Sequence, residues 1–155
     1  MPVQAEPIQG RMELEMRRIA IYLLAICSVL SAEIRAAQSS EKEKAALTAA
    51  EEWLSMVDEG NHGQSWKGAA EYFRNAVSEE QWVQTLKAVR DPMGKLVARE
   101  VRSTSYETSL PGAPDGEYVV IQFITSFENK QAAVETVTPM LDKDGTWRVS
   151  GYYIK

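Results

Sequence analysis

One cysteine, one histidine and no surplus of positive charge are what this chain of 155 residues has least of. The cysteine is Cys27, inside the first apolar run. If that run is removed, the remaining chain has no thiol, which excludes disulfides, thiol catalysis and cysteine metal sites. His62 stands alone, so a site needing two histidines from one chain is excluded. A net charge of −5 offers no basic face for phosphate, and that excludes nucleic acid as a partner. No repeat of roughly 20–50 residues is present, which removes solenoids and propellers. There is no glycine-rich phosphate loop, no metal-ligand cluster and no nucleophile elbow. No cofactor is implied.

The length suits one domain, and 45% apolar with 25% charged residues is ordinary for a globular protein. Ile19 to Leu30 is an apolar run of twelve residues without a charge. A membrane-spanning helix needs roughly 20, whereas this length suits the core of an export signal. Arg17 and Arg18 precede it, and small residues (Ser31, Ala32, Ala36, Ala37) follow. From Met1 the leader carries Glu6, Glu13 and Glu15; from Met16 it is short and purely basic. The expected organisation is a mis-assigned extension over 1–15, a signal peptide over 16–37 and one domain over 38–155. An uncleaved anchor in the same compartment is the alternative. Leu24-Ala25-Ile26-Cys27 makes a poor lipoprotein box, because Ile26 is bulky beside the cysteine.

The next segment reads as helix. Ser39 and Ser40 offer an N-cap before Glu41. Ala46, Ala50, Trp53, Leu54 and Val57 recur at three- and four-residue spacing, and Gly60 is placed to end the helix. Asn61 to Gly63 reads as a turn and Ser65 to Val77 as a second helix. Ser78 with Gln81 three residues later is a capping box that opens a third helix, through about Arg90. Asp91-Pro92-Met93-Gly94 stops it.

The remainder reads as four strands. Lys95 to Thr108 is polar and suits a sheet edge. Its alternation puts Val97, Arg99, Val101, Ser103 and Ser105 on one side, with Thr104 and Tyr106 on the other. Glu117 to Phe127 carries bulk on both faces, as a central strand does. Ala133 to Leu141 returns, with Pro139 marking a bulge or an edge. Thr146 to Ile154 closes the sheet, with Trp147, Val149, Gly151 and Tyr153 on one face. Helices followed by strands mean α+β: three N-terminal helices on one face of a four-stranded antiparallel curved sheet, cone-like in shape.

The stretches AEEWLSMVDEG, QSWKGAAEYFRNAVSEEQWV, VRDPMGKLVARE, LPGAPDGEYVVIQFITSFENK and DGTWRVSGYYIK resemble the bacterial family called domain of unknown function 4019. The resemblance runs from about Glu43 to Lys155. It implies no assigned activity. By analogy it implies the nuclear-transport-factor-2-like superfold, a cone whose interior sometimes holds an apolar ligand or an active site.

Six residues are candidates for a pocket or a working surface. His62 is either an exposed turn histidine or a base oriented by Asp58 or Glu59. Asp58 opposes the helix dipole and calls for a partner such as Arg90 or Lys67. Glu135 is a general base if it faces inward in a cone, or pairs outward with Arg148 or the strand next door. Trp66 and Trp82 lie in apolar stripes and belong to the core, while Tyr72 lies off its stripe at the surface. The function expected is an exported, periplasmic or secreted binding domain without enzymatic activity. Its partner is an unknown protein or a small apolar ligand, and a homodimer through the sheet is a further possibility. The alternatives are a cone-fold enzyme with a buried carboxylate and an apolar ligand carrier. Membrane contact is expected only through an uncleaved signal.

N-terminal sequencing of the exported product is expected to start after Ser31, Ala32 or Ala36. Recovery of an uncleaved precursor beginning at Met1 overturns both the signal and the Met16 start.

Overall fold

Four helices and four strands follow one another along residues 37–155, which are the residues described by the computed structural model. The export signal, the Met16 start and Cys27 lie outside them. The first helix, α1, runs through 37–58. Ser39 and Ser40 therefore sit inside it and do not cap it, since serine in a helix costs only about 0.5 kcal/mol relative to alanine. Gly60 ends α1 as expected, at φ 77°. The Gly60 N–H donates to Val57 O and the Asn61 N–H to Met56 O, the paired bonds of a Schellman stop.

The segment expected as one helix is two, α2 (His62–Lys67) and α3 (Glu71–Ala76). The break has a physical cause. Ala69 and Ala70 are wholly buried, and the Ala70 N–H donates to Val149 O of the sheet, at 2.8 Å. A backbone group committed to a strand cannot also serve a helix. The Trp66 indole donates to Val77 O at 2.7 Å and ties the two short helices together. The fourth helix, α4 (Glu79–Arg90), opens on the expected Ser78–Gln81 capping box. A 3-10 turn at Asp91–Met93 ends it.

The strands β1 (Leu96–Glu107), β2 (Tyr118–Phe127), β3 (Lys130–Leu141) and β4 (Trp147–Ile154) form an antiparallel meander in the order β1-β2-β3-β4. The sheet is open, with β1 and β4 as its edges. On β2 the alternation holds without interruption: Val119, Ile121, Phe123, Thr125 and Phe127 are all buried.

Register shifts interrupt the sheet at Leu96/Ala98, Val101/Ser103, Thr125/Phe127 and Thr138/Pro139, and two of them decide which residues share the site's face. Between β1 and β2 the register jumps from Val101↔Phe123 to Ser103↔Gln122, so Arg102 is the extra residue. Arg99 and Tyr106, an odd number apart, consequently both lie opposite buried β2 residues, Thr125 and Val119. Between β3 and β4 the pairing passes from Thr138↔Gly151 to Pro139↔Val149, and Ser150 is extra. Pro139 has no N–H to give the ladder, which is where a bulge is tolerated. The consequence corrects the expected face of β4. Tyr152, not Tyr153, joins Val149 on the buried side, and Tyr153 is left 61% exposed.

The helices cover one face. Ala46, Ala50, Trp53, Leu54 and Val57 of α1 share a core with Phe73, Trp82 and Leu86 and with the buried residues of β2, β3 and β4. At one end of α1, Lys42 pairs with Glu117 at 2.6 Å and Glu43 accepts from Thr104 at 2.9 Å. At its other end Asp58 meets Arg99. So α1 runs antiparallel to β1 along the sheet. Every described core residue lies within the compact unit Ser40–Lys155, which thus carries its own core.

Ser65 is the polar pin of that core. Its carbonyl accepts from the Trp53 indole at 2.7 Å and its hydroxyl from the Trp82 indole at 3.0 Å, while the hydroxyl donates to His62 O. Ser65→Ala leaves the Trp82 N–H buried without an acceptor. The expected cost is about 1–3 kcal/mol, read by chemical denaturation. A loss under ~0.5 kcal/mol would mean the Trp82 bond contributes nothing to stability.

Candidate functional site

Side chains from six elements meet where α1 ends above the sheet. Asp58 is the last helical residue of α1, and Arg90 the last of α4. Arg99 comes from β1, Thr125 from β2, Glu135 from β3 and Tyr152 from β4. Arg99 holds both acids. Its Nη1 donates to Asp58 Oδ2 at 2.7 Å and its Nη2 to Oδ1 at 3.1 Å, a two-pronged grip, while its Nε donates to Glu135 Oε2 at 2.7 Å. Arg90 Nη2 adds a second cation to Asp58 Oδ1 at 2.7 Å. The Arg90 guanidinium lies over the Phe127 ring, 3.9 Å from its centre, a cation–π contact. Glu135 completes its shell with the Thr125 hydroxyl at 2.5 Å and the Tyr152 hydroxyl at 2.6 Å.

Two arginines and two carboxylates leave the cluster neutral, which is what a buried cluster requires. Burial pushes the Glu135 carboxyl up, but Arg99, through hydrogen bond and charge, with Thr125 and Tyr152, brings it net below its ordinary value. Burial likewise pulls the Arg99 guanidinium down, and Asp58 and Glu135 hold it net above its ordinary range. Burial, then the Glu135 charge, raises the Tyr152 hydroxyl. The ground state is therefore an ionised Glu135 accepting from a neutral tyrosine.

A general base needs a raised pKa and a path to substrate. Glu135 has neither: its carboxyl is lowered and its side chain is wholly inaccessible. Its oxygens already accept from three side chains. The chemistry open to this arrangement is mechanical. It ties the C-terminal ends of α1 and α4 to strands β1 and β3, across β2 and β4.

The cluster gathers two of the six candidates, Asp58 and Glu135. Asp58 takes the anticipated Arg90, and also Arg99 in place of Lys67. Glu135 takes Arg99 on the strand beyond β2; Arg148 instead closes the β3–β4 turn on Asp142 and Asp144, at 3.2 and 2.7 Å. Trp82 is in the core, 5.8 Å from Trp53 and 6.2 Å from Tyr152 between ring centres. Trp66 is half-buried against that core. Tyr72 is at the surface and donates to Gly112 O at 2.9 Å.

His62 overturns its expectation as an exposed turn residue. It is the first residue of α2 and only 6% exposed, because the chain turns back under α1 directly after the Gly60 stop. It does not join the hydrogen bonds of Asp58. Beside it an open cleft of about 290 Å³ is lined by Asp58, His62, Arg90, Asp91, Lys95 and Glu128, among others. Among the described residues no group of three or more histidine, cysteine, aspartate or glutamate side chains is placed to hold a metal.

Arg99 and Thr125 escaped the sequence reading, and Tyr152 was not told apart from Tyr153 beside it as the residue facing Glu135. The one signal available was Arg99 itself, a charge on the face shared with Val97 and Val101. Tyr152 was hidden by the Ser150 bulge.

Arg99→Met leaves Glu135 without a cation, and breaking a buried pair costs about 3–5 kcal/mol. The folded pKa of Glu135 lies below its unfolded value of about 4.5. Its contribution is thus present above that value and lost as pH falls through the folded value. Denaturation of wild type and Arg99→Met should show a full difference at neutral pH that narrows below about pH 4.5. A difference that stays constant down to acid unfolding contradicts this account of Glu135.

The family model described as a protein of unknown function, DUF4019, matches residues 49–152. That span contains every member of the Asp58–Arg99–Glu135 cluster. No curated protein and no solved structure matches the chain. With more than half of its length matched, this chain belongs to the DUF4019 family of proteins of unknown function.

Proposed function

We propose that this is an exported protein of the bacterial cell envelope. Its domain binds a protein or a small apolar ligand on the uncovered face of the sheet and performs no chemistry of its own. Support for export is the basic pair Arg17-Arg18 ahead of twelve uncharged residues with small residues behind. The saturated, inaccessible Glu135 weighs against an enzyme built on that carboxylate. The analogy to the nuclear-transport-factor-2-like cone rests on element order and adds no residue to the argument.

The observation that carries the reading is the outer face. There Ile124 lies between Glu100 and Val134, and one row along Gln122 lies between Ser103 and Thr136, with Tyr153 beyond. Ile124 is 38% exposed. Among the described residues no helix packs on this side, and exposed apolar atoms are what stable proteins keep to limited patches unless something docks there.

The dye anilinonaphthalene sulfonate tests the surface on residues 38–155. Its fluorescence is expected to rise with wild type and with Glu135→Gln, and to fall several-fold with Ile124→Asp at unchanged melting temperature. Equal fluorescence from wild type and Ile124→Asp rejects the outer face as the binding surface.

A further inference from the structure

A groove of about 390 Å³ lies at the end of the sheet where β2 begins and β3 ends. One wall is α3, with Glu71 and Tyr72, and the other is the loop from β1 to β2, with Pro114 and Asp115. Met140 and Leu141 of β3 complete its apolar lining. The loop wall is fixed before anything binds. The Tyr72 hydroxyl donates to Gly112 O at 2.9 Å and the Tyr118 hydroxyl to Pro114 O at 2.6 Å. The Gly116 N–H closes the base of the loop on Thr108 O at 3.1 Å. Burial, then Tyr72 and Asp115 nearby, raises the Tyr118 hydroxyl, which keeps it a donor to Pro114. Small-molecule sites have this form: concave, largely preformed, mostly apolar, with a few polar groups.

The charge of the groove is one-sided. Glu71, Asp115 and Asp142 line it, and among the described residues Lys143 is its only cation. Asp142 is already engaged, by Arg148 at 3.2 Å and by the Glu71 N–H at 3.2 Å. Lys143 lies 3.9 Å from Glu71 with both side chains mostly in water, a contact that holds neither firmly. Asp115 makes no ion pair among the described residues. Two carboxylates thus stand beside an apolar lining without a firm cation. We infer that the groove binds a small organic amine in its protonated form. Its ammonium faces Glu71 and Asp115, and its hydrocarbon chain lies on Tyr72, Pro114, Met140 and Leu141. An anion is repelled by the three acids, and a neutral apolar molecule gains nothing from them. The same chemistry is offered by a free amine and by the end of a lysine side chain. The inference does not rest on the outer face as a binding surface, so the two stand or fall separately.

Hexylammonium chloride is the probe, titrated into residues 38–155 and followed by the amide chemical shifts of the protein. A ligand this small binds with a Kd on the order of 1 mM. Hexylammonium is expected to shift Tyr72, Asp115 and Leu141 saturably, hexanol to do so several-fold more weakly, and hexanoate not to bind. Asp115→Asn should weaken hexylammonium by about two- to five-fold, the range of an exposed charge pair. Asp115→Asn combined with Glu71→Gln should remove its advantage over hexanol. Both side chains are exposed, so unchanged melting temperatures serve as the check on folding. Nα-acetyl-lysine amide tells the two sources apart: tighter binding than hexylammonium assigns the groove to a partner's lysine, weaker binding to a free amine. Equal affinity for hexanol and hexylammonium overturns the inference. So do shifts that centre on Gln122 and Ile124, or no saturation by hexylammonium at about 10 mM.

Discussion

Arg99 is the constraint on which the architecture depends. Two carboxylates, Asp58 and Glu135, lie almost wholly out of water, and neither tolerates that without a cation. One guanidinium serves both because its planar fork offers Nη atoms to one acid and Nε to the other. Arg99 can do so only if α1 ends directly above β1 and if β1 is in register with β2. A slip of one residue turns the strand over and sends Arg99 to the outer face. The same ion pairs thus fix the position of a helix and the alignment of a strand.

Ser65 performs the corresponding task on the apolar side. Trp53 and Trp82 fill the space between α1, α4 and the sheet, and each brings an indole N–H that must find an acceptor in the dry interior. Both find it on one short, buried residue of α2. That explains why a helix of six residues is held in place: it is pinned by its neighbours' tryptophans, with the Ala70–Val149 bond anchoring the chain just beyond. Local propensity plays a small part in it, since helices this short are unstable alone.

The parts of this fold legible in the sequence are those decided by neighbours along the chain. The Gly60 stop, the Ser78–Gln81 cap, the Asp91–Gly94 break and the alternation of β2 all depend on residues a few positions apart. The parts not legible depend on contacts made across the fold. The break at Gly68–Ala70 exists because β4 accepts a hydrogen bond there. Pro139 signalled a bulge correctly, but the extra residue fell on the partner strand, and so the inward tyrosine was misplaced by one. Nothing near Arg102 in sequence marks its bulge, and without that bulge Arg99 and Tyr106 cannot share a face. Glu135 stands out locally as the one acid of β3. Its role turned on Arg99, 36 residues earlier, and no local pattern connects them.

A buried ion cluster is a weak source of net stability, because desolvation offsets much of the attraction. Its presence here is better understood through what it forbids. An apolar quartet in the same places would leave β1 without a charged residue that has to face inward, and its register would be less strongly specified, which makes a slip or an exchange of faces less costly. With Arg99 required on the inner face, that exchange is blocked, and Glu100 and Arg102 are left at the open edge. The interior charge network thereby dictates which charges the exposed edge displays. One strand of this chain therefore carries both the internal lock, at Arg99, and the exposed charges Glu100 and Arg102.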